Sequence, residues 1–189
     1  WKIDPDPIIG EDFDQAKIEE LGREGILAMV CDSTNVFEEG EAGSEGMARE
    51  ALRRAVAEQT GRVAITAFAS NVARVQSACE AARANDRSVC LLGRSMIRIV
   101  GAAQSVGMLE GLSFVSPDEA AGLPAQHVLY LCTGSQGEPN AALARIARNE
   151  HPIVKLGKDD TVIFSSRVIP GNERSIAAIQ NMLAERNIK

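Results

Sequence analysis

The chain has 189 residues, 45% hydrophobic and 24% charged, with a net charge of −6. About 100–200 residues make one domain and these proportions are globular ones, which excludes disorder, collagen and coiled coil. No run approaches the ~18 apolar residues of a membrane helix, the polar, Pro-containing start has no secretory h-region, and an acidic chain is no general nucleic-acid binder, so a site for one must be local.

Residues 1–14, broken by Pro5, Pro7 and Gly10, read as a connecting arm, and residues 15–189 as the domain. Five continuous apolar runs succeed the arm: Ile26 to Cys31, Val63 to Phe68, Val89 to Leu92, Val128 to Cys132, and Val162 to Phe164. Continuous rather than alternating runs mark strands buried on both faces. Between them lie segments with helical spacing. Residues 45–59 place Ala48, Leu52, Ala55 and Val56 on one stripe, and residues 71–85 do the same with Val72, Val75, Cys79 and Ala82. Residues 95–105 and 139–149 are weaker helices, and 107–126 is an irregular connection with a helical turn at 117–121. Residues 173–186 align Ile176, Ile179, Met182 and Leu183. This alternation predicts an α/β domain, a parallel β-sheet flanked by helices with right-handed crossovers.

Histidine and cysteine are scarce. His127 and His151 read as structural or surface residues, and Cys31, Cys79, Cys90 and Cys132 contain no CxxC pair. A closed zinc site wants four N or S ligands, which this chain alone does not supply. Cys31, Cys90 and Cys132 lie in apolar runs and read as buried thiols, at home in a reducing cytoplasm.

Each strand leads into a polar segment: Asp32 to Asn35, Ala69-Ser70-Asn71, Gly93-Arg94-Ser95, Thr133 to Pro139, and Ser165-Ser166-Arg167 with Pro170 to Glu173 beyond. In a parallel sheet these tips share one edge, where open α/β sheets bind ligands. Ser70, Asn71, Ser95 and Asn172 would also serve as helix N-caps, Pro139 fits a first helical turn, and the glycines fit turns. The Thr133–Pro139 loop suits an anion at the following helix start. Asp32 reads equally as a metal ligand or a turn cap.

The blocks Cys31-Asp32-Ser33-Thr34-Asn35, Gly43-Ser44-Glu45, Phe68-Ala69-Ser70-Asn71-Val72-Ala73-Arg74, Gly93-Arg94-Ser95-Met96, Thr133 to Pro139, and Pro170-Gly171-Asn172-Glu173 resemble, in order and spacing, the ribonuclease J family. The resemblance implies a Rossmann-like β-CASP domain that clamps RNA against a metallo-β-lactamase domain of the same polypeptide. It implies 5′-to-3′ exonuclease and endonuclease activity in RNA processing and decay, a preference for 5′-monophosphate ends, two zinc ions, and a homo-oligomer in the cytoplasm. Asp32 matches the family's metal-bridging aspartate, while its HxHxDH motif has no counterpart here. Trp1 to Asp4 resembles the segment after the family's next metal histidine. Absence of an initiator Met, and an end before the family's Gly- and His-containing segment, imply a piece of a larger enzyme that is inactive alone.

Among RNA contacts the resemblance implies Phe68, Ser70 and Asn71, with Ala73 standing where many relatives carry His. Phe68 would stack on a base or fill the core. Arg74, Arg94 and Arg167 would bind phosphate or simply be solvated. Ser95, Gly134, Ser135, Gln136, Ser165 and Ser166 complete the expected set. The alternatives are a free-standing phosphate- or nucleotide-binding module and a protein-docking domain.

Overall fold

In the computed structural model the described residues are all except Trp1, Lys2, Pro5, Asp32, Thr34, Asn35, Val36, Glu38, Glu41 and Ala42. Four of the five apolar runs become strands: β1 (Val63–Thr66), β2 (Ser88–Leu92), β3 (Val128–Cys132) and β4 (Thr161–Phe164). They form one parallel sheet in the order β2-β3-β1-β4. Every residue of β1 and β3 is buried, as continuous apolar runs require. Val63, Ile65, Leu129 and Leu131 face one layer, formed by α2 (Glu45–Ala57), α3 (Val72–Arg83) and α4 (Arg94–Ser105). Ala64, Tyr130 and Cys132 face the other, formed by α5 (Pro117–Gly122), α6 (Ala142–Ala147) and α7 (Glu173–Glu185). Each fully buried Leu or Ile contributes about 1.5–3 kcal/mol.

The topology follows from which layer each crossover uses. From β1 the chain travels by α3 towards the β2 edge, and from β3 it travels by α6 on the opposite face towards the β4 edge. Opposite directions over opposite faces give the same hand, as parallel crossovers share. Between α4 and α5 the chain rounds the β2 edge, where Val115 bridges to Cys90 and its N–H bonds to Val89. The turn expected at 117–121 is α5, opened by a capping box between Ser116 and Glu119.

The run 26–31 is a correction. It forms neither strand nor helix, and Leu27 and Val30 are 105% and 93% exposed. Cys31, expected buried, is exposed as well. A strand needs an edge to pair with, and the run pairs with neither outer edge of the sheet, each of which meets one other residue. Val115 lies on β2, and Lys189 pairs with β4, its N–H bonding to Asp160 and its carbonyl accepting from Val162. Ahead of the run stands α1 (Gln15–Glu24), a helix the sequence pattern did not predict, with no buried residue. The helix expected over 139–149 is confined to Ala142–Ala147. Among the described residues no helix is long and apolar enough to cross a membrane.

Candidate nucleic-acid interface

Because the strands are parallel, the segments leaving β2, β3, β1 and β4 gather on one edge in that order. The ladders run on into them: Thr133 N–H bonds to Leu92, Ala67 N–H to Cys132 and Ser165 N–H to Thr66. Four of the five polar tips therefore share a rim. The fifth begins with Asp32, which lies outside the described residues, as do Thr34 and Asn35.

The rim divides into a structural half and an open half. On the structural side, Arg74 donates to the carbonyl and Oγ of Ser165, both at 2.7 Å, and pairs with Glu45 at 3.0 Å. Its Nε also reaches Glu45, at 3.1 Å. Arg74, expected as a phosphate contact, thus spends each of its three nitrogens on a protein partner. Asn71 caps α3, its Oδ1 accepting the Arg74 N–H, while its Nδ2 donates to Glu45 at 3.3 Å. The cap is Asn71 and not Ser70, which is exposed in the preceding turn.

Gln136 is likewise drawn inward. Its amide donates to the Arg167 carbonyl at 2.8 Å and to Ser166 Oγ at 3.3 Å, and its Oε1 accepts from Ile169 N–H and Asn172 Nδ2. It ties the β3 loop to the β4 loop, and both donors and both acceptor positions of the side chain expected to contact RNA are used within the protein. Asn172 accordingly spends its side chain on Gln136 and makes no cap bond to α7. Ser135 and Gly134 are buried in the same loop. Gly137 has φ +78, and a Cβ there would lie 2.5 Å from the carbonyl carbon of Ser175. The loop is thus packed on α7, and Pro139 lies ahead of α6, outside it.

The open side holds Phe68, Arg94, Ser95 and Arg167. Phe68 is 36% exposed and belongs to neither buried cluster, so its ring is not core. Gly93, with φ +105, turns β2 directly into α4 without a side-chain cap, and a side chain there would strike Thr133. Ser95 is therefore inside the first turn rather than its cap. The uncapped end of α4 presents free N–H groups and a positive dipole end. It borders a groove of about 1060 Å³ that also receives Arg94, Arg98, Arg145 and His151. Sequence reasoning missed Arg98 and Arg145. Arg98, four residues after Arg94 and so on the same helix face, was within reach of a pattern search.

Among the described residues no cluster of three or more His, Cys, Asp or Glu could hold a metal. The donor chemistry agrees. Burial pushes the Cys79 and Cys132 thiols up to about 12 and Cys90 up to about 11, so they stay protonated. His151 Nδ1 accepts the Val154 N–H at 3.0 Å, and His127 Nδ1 lies 2.8 Å from the Asp86 carbonyl. The described residues do not fit a zinc site by themselves.

A doubly covered parallel sheet with its loops collected at the strand carboxyl ends defines an α/β ligand-edge domain. A model of the ribonuclease J β-CASP domain matches residues 60–183, and the chain belongs to that family. It is 49% identical to ribonuclease J of Sinorhizobium meliloti over 100% of this chain and 34% of the relative. Against ribonuclease J of Corynebacterium glutamicum it is 41% identical over 97% of this chain and 26% of the relative. For ribonuclease J of Synechocystis the values are 42%, 91% and 27%. The chain thus spans about a quarter to a third of the length of these curated relatives.

Proposed function

We propose that this chain is the RNA-gripping part of a metal-dependent ribonuclease, acting as a 5′-to-3′ exonuclease and an endonuclease on RNA with 5′-monophosphate ends. The observation that carries this reading is a shared edge. An exposed aromatic, Phe68, and an arginine-bearing groove with Arg94 at its mouth lie on the same carboxyl rim of a ribonuclease J-type sheet. Stacking is tolerant of sequence and worth about 1–3 kcal/mol per base, and arginine supplies the matching phosphate contact. Arg167, exposed at the other end of the rim, is a second phosphate contact.

Hydrolysis belongs to a metallo-β-lactamase domain against which this rim clamps RNA. Two zinc ions would be held there, with Asp32 as this chain's contribution, and the intact enzyme would be a cytoplasmic homo-oligomer. The test uses the full-length protein and a 5′-phosphorylated single-stranded RNA. Phe68→Ala and Arg94→Ala should each weaken RNA binding about tenfold with the fold intact, and Asp32→Ala should lower both metal content and hydrolysis. The 189-residue chain alone should hydrolyse nothing. Unchanged binding in both rim variants would reject the reading.

A further inference from the structure

The rim groove contains more positive charge than a single phosphate contact at Arg94 requires. Arg94 and Arg98 project from one face of α4, and Arg145 enters from α6. All three are exposed, and among the described residues none of them makes an ion pair. The chain's 26 acidic residues outnumber its 20 basic ones, and several of its other arginines do find carboxylates. Arg53 and Arg54 share Glu50, Arg74 holds Glu45, Arg62 meets Asp160 and Arg148 meets Glu150. The acidic group at the groove, Glu138, already accepts the Gln136 N–H at 3.0 Å. His151 contributes no charge at neutral pH, since burial first, and then Arg145 and Lys155, lower its proton affinity.

We propose that Arg98 and Arg145 line a track for the phosphodiester backbone of single-stranded RNA, continuing inward from Arg94 across the β2–β3 end of the rim. This rests on the reading of the chain as RNA-gripping and extends it to a defined path and two unassigned residues. Guanidinium groups spread over two helices suit a chain of phosphates better than a single anion. Ile97, 55% exposed in the same groove, offers an apolar surface to sugar or base between charges.

The test measures equilibrium binding of a labelled single-stranded RNA to the full-length protein, without divalent metal, across a potassium chloride series. Arg98→Ala/Arg145→Ala should weaken binding about tenfold and make the slope of log affinity against log salt shallower by about 1.4, because each phosphate contact on a single strand contributes about 0.7. Arg98→Lys/Arg145→Lys should keep the slope, showing that charge rather than folding is read. A wild-type protein that binds RNA beside an alanine variant with the same slope would overturn the track and leave the broader reading standing. No RNA binding by the wild type would overturn both. Loss of a protein partner from the alanine variant, with RNA binding unchanged, would make the groove a docking surface and overturn the track as well.

Discussion

Arg74 and Glu45 face each other across the start of two helices, with the guanidinium Nη2 3.0 Å from the carboxylate and only 14% and 13% of the two side chains exposed. The pair fastens α2 to α3, and the remaining guanidinium nitrogen fastens both to the end of β4 through Ser165. Breaking a buried pair by removing one partner strands the other charge, at a cost of about 3 kcal/mol. Arg74→Ala should therefore lower the urea unfolding midpoint markedly. Arg74→Lys should rescue little, since one ammonium cannot span Glu45 and Ser165 together. The salt slope of RNA binding should not change in whatever fraction remains folded. A phosphate-contact role would instead change the slope and spare the midpoint.

Gly137 makes a second structural test. Its φ of +78 lies in the left-handed region, and an added Cβ would meet the backbone of Ser175 at 2.5 Å. The neighbour is helix backbone and cannot swing aside. Gly137→Ala should destabilise by about 2–4 kcal/mol, combining strained backbone with steric displacement of the loop from α7. Gly157→Ala is the control, because nothing lies within 4 Å of its Cβ position. Thermal melting of the two variants separates a specific contact from a general glycine effect.

Much of this architecture was readable in the residue pattern. Continuous runs such as Val128 to Cys132 and Val63 to Thr66 are suited to burial on both faces, and these two are buried. The run 26–31 has the same pattern and stays exposed, because apolarity records a capacity to be buried and not the partner that does it. The site divides in a similar way. Turn glycines and the Asn71 cap follow from local chemistry, so their places were legible. The fates of Arg74 and Gln136 were not, because a long polar side chain is committed by partners remote in sequence: Ser165 is 91 positions from Arg74, and Arg167 is 31 from Gln136. Arg145 reaches the groove only because α6 follows β3 across the opposite face, which no local pattern encodes.

The cysteines divide by accessibility. Cys79, Cys90 and Cys132 are buried, with thiols pushed up to about 12, 11 and 12 by desolvation, whereas Cys31 is exposed. The thiolate is the reactive form, so at pH 8 the folded chain should give one rapidly titrating thiol, and four in denaturant. Cys31→Ser should abolish the rapid phase. Rapid modification of two or more thiols in the folded chain would show that the sheet core is open.

His151 gives the fold a pH dependence with a definite sign. Its Nδ1 accepts the backbone N–H groups of Val154 at 3.0 Å and Ile153 at 3.4 Å, which requires that nitrogen unprotonated. Burial, then Arg145 and Lys155, lower its proton affinity in the folded state. In the unfolded chain the ring takes up a proton near its ordinary value of about 6.5. Where the unfolded state binds more protons, stability rises with pH. The contribution of this residue is therefore complete above that value, and declines as pH falls through it towards the lower folded value. Urea midpoints at pH 7.5 and 5.5 should show the fall in the wild type. His151→Asn, which keeps an acceptor oxygen but cannot titrate, should show a smaller difference. An equal fall in both proteins would assign the pH dependence to other groups and leave His151 with a packing role alone.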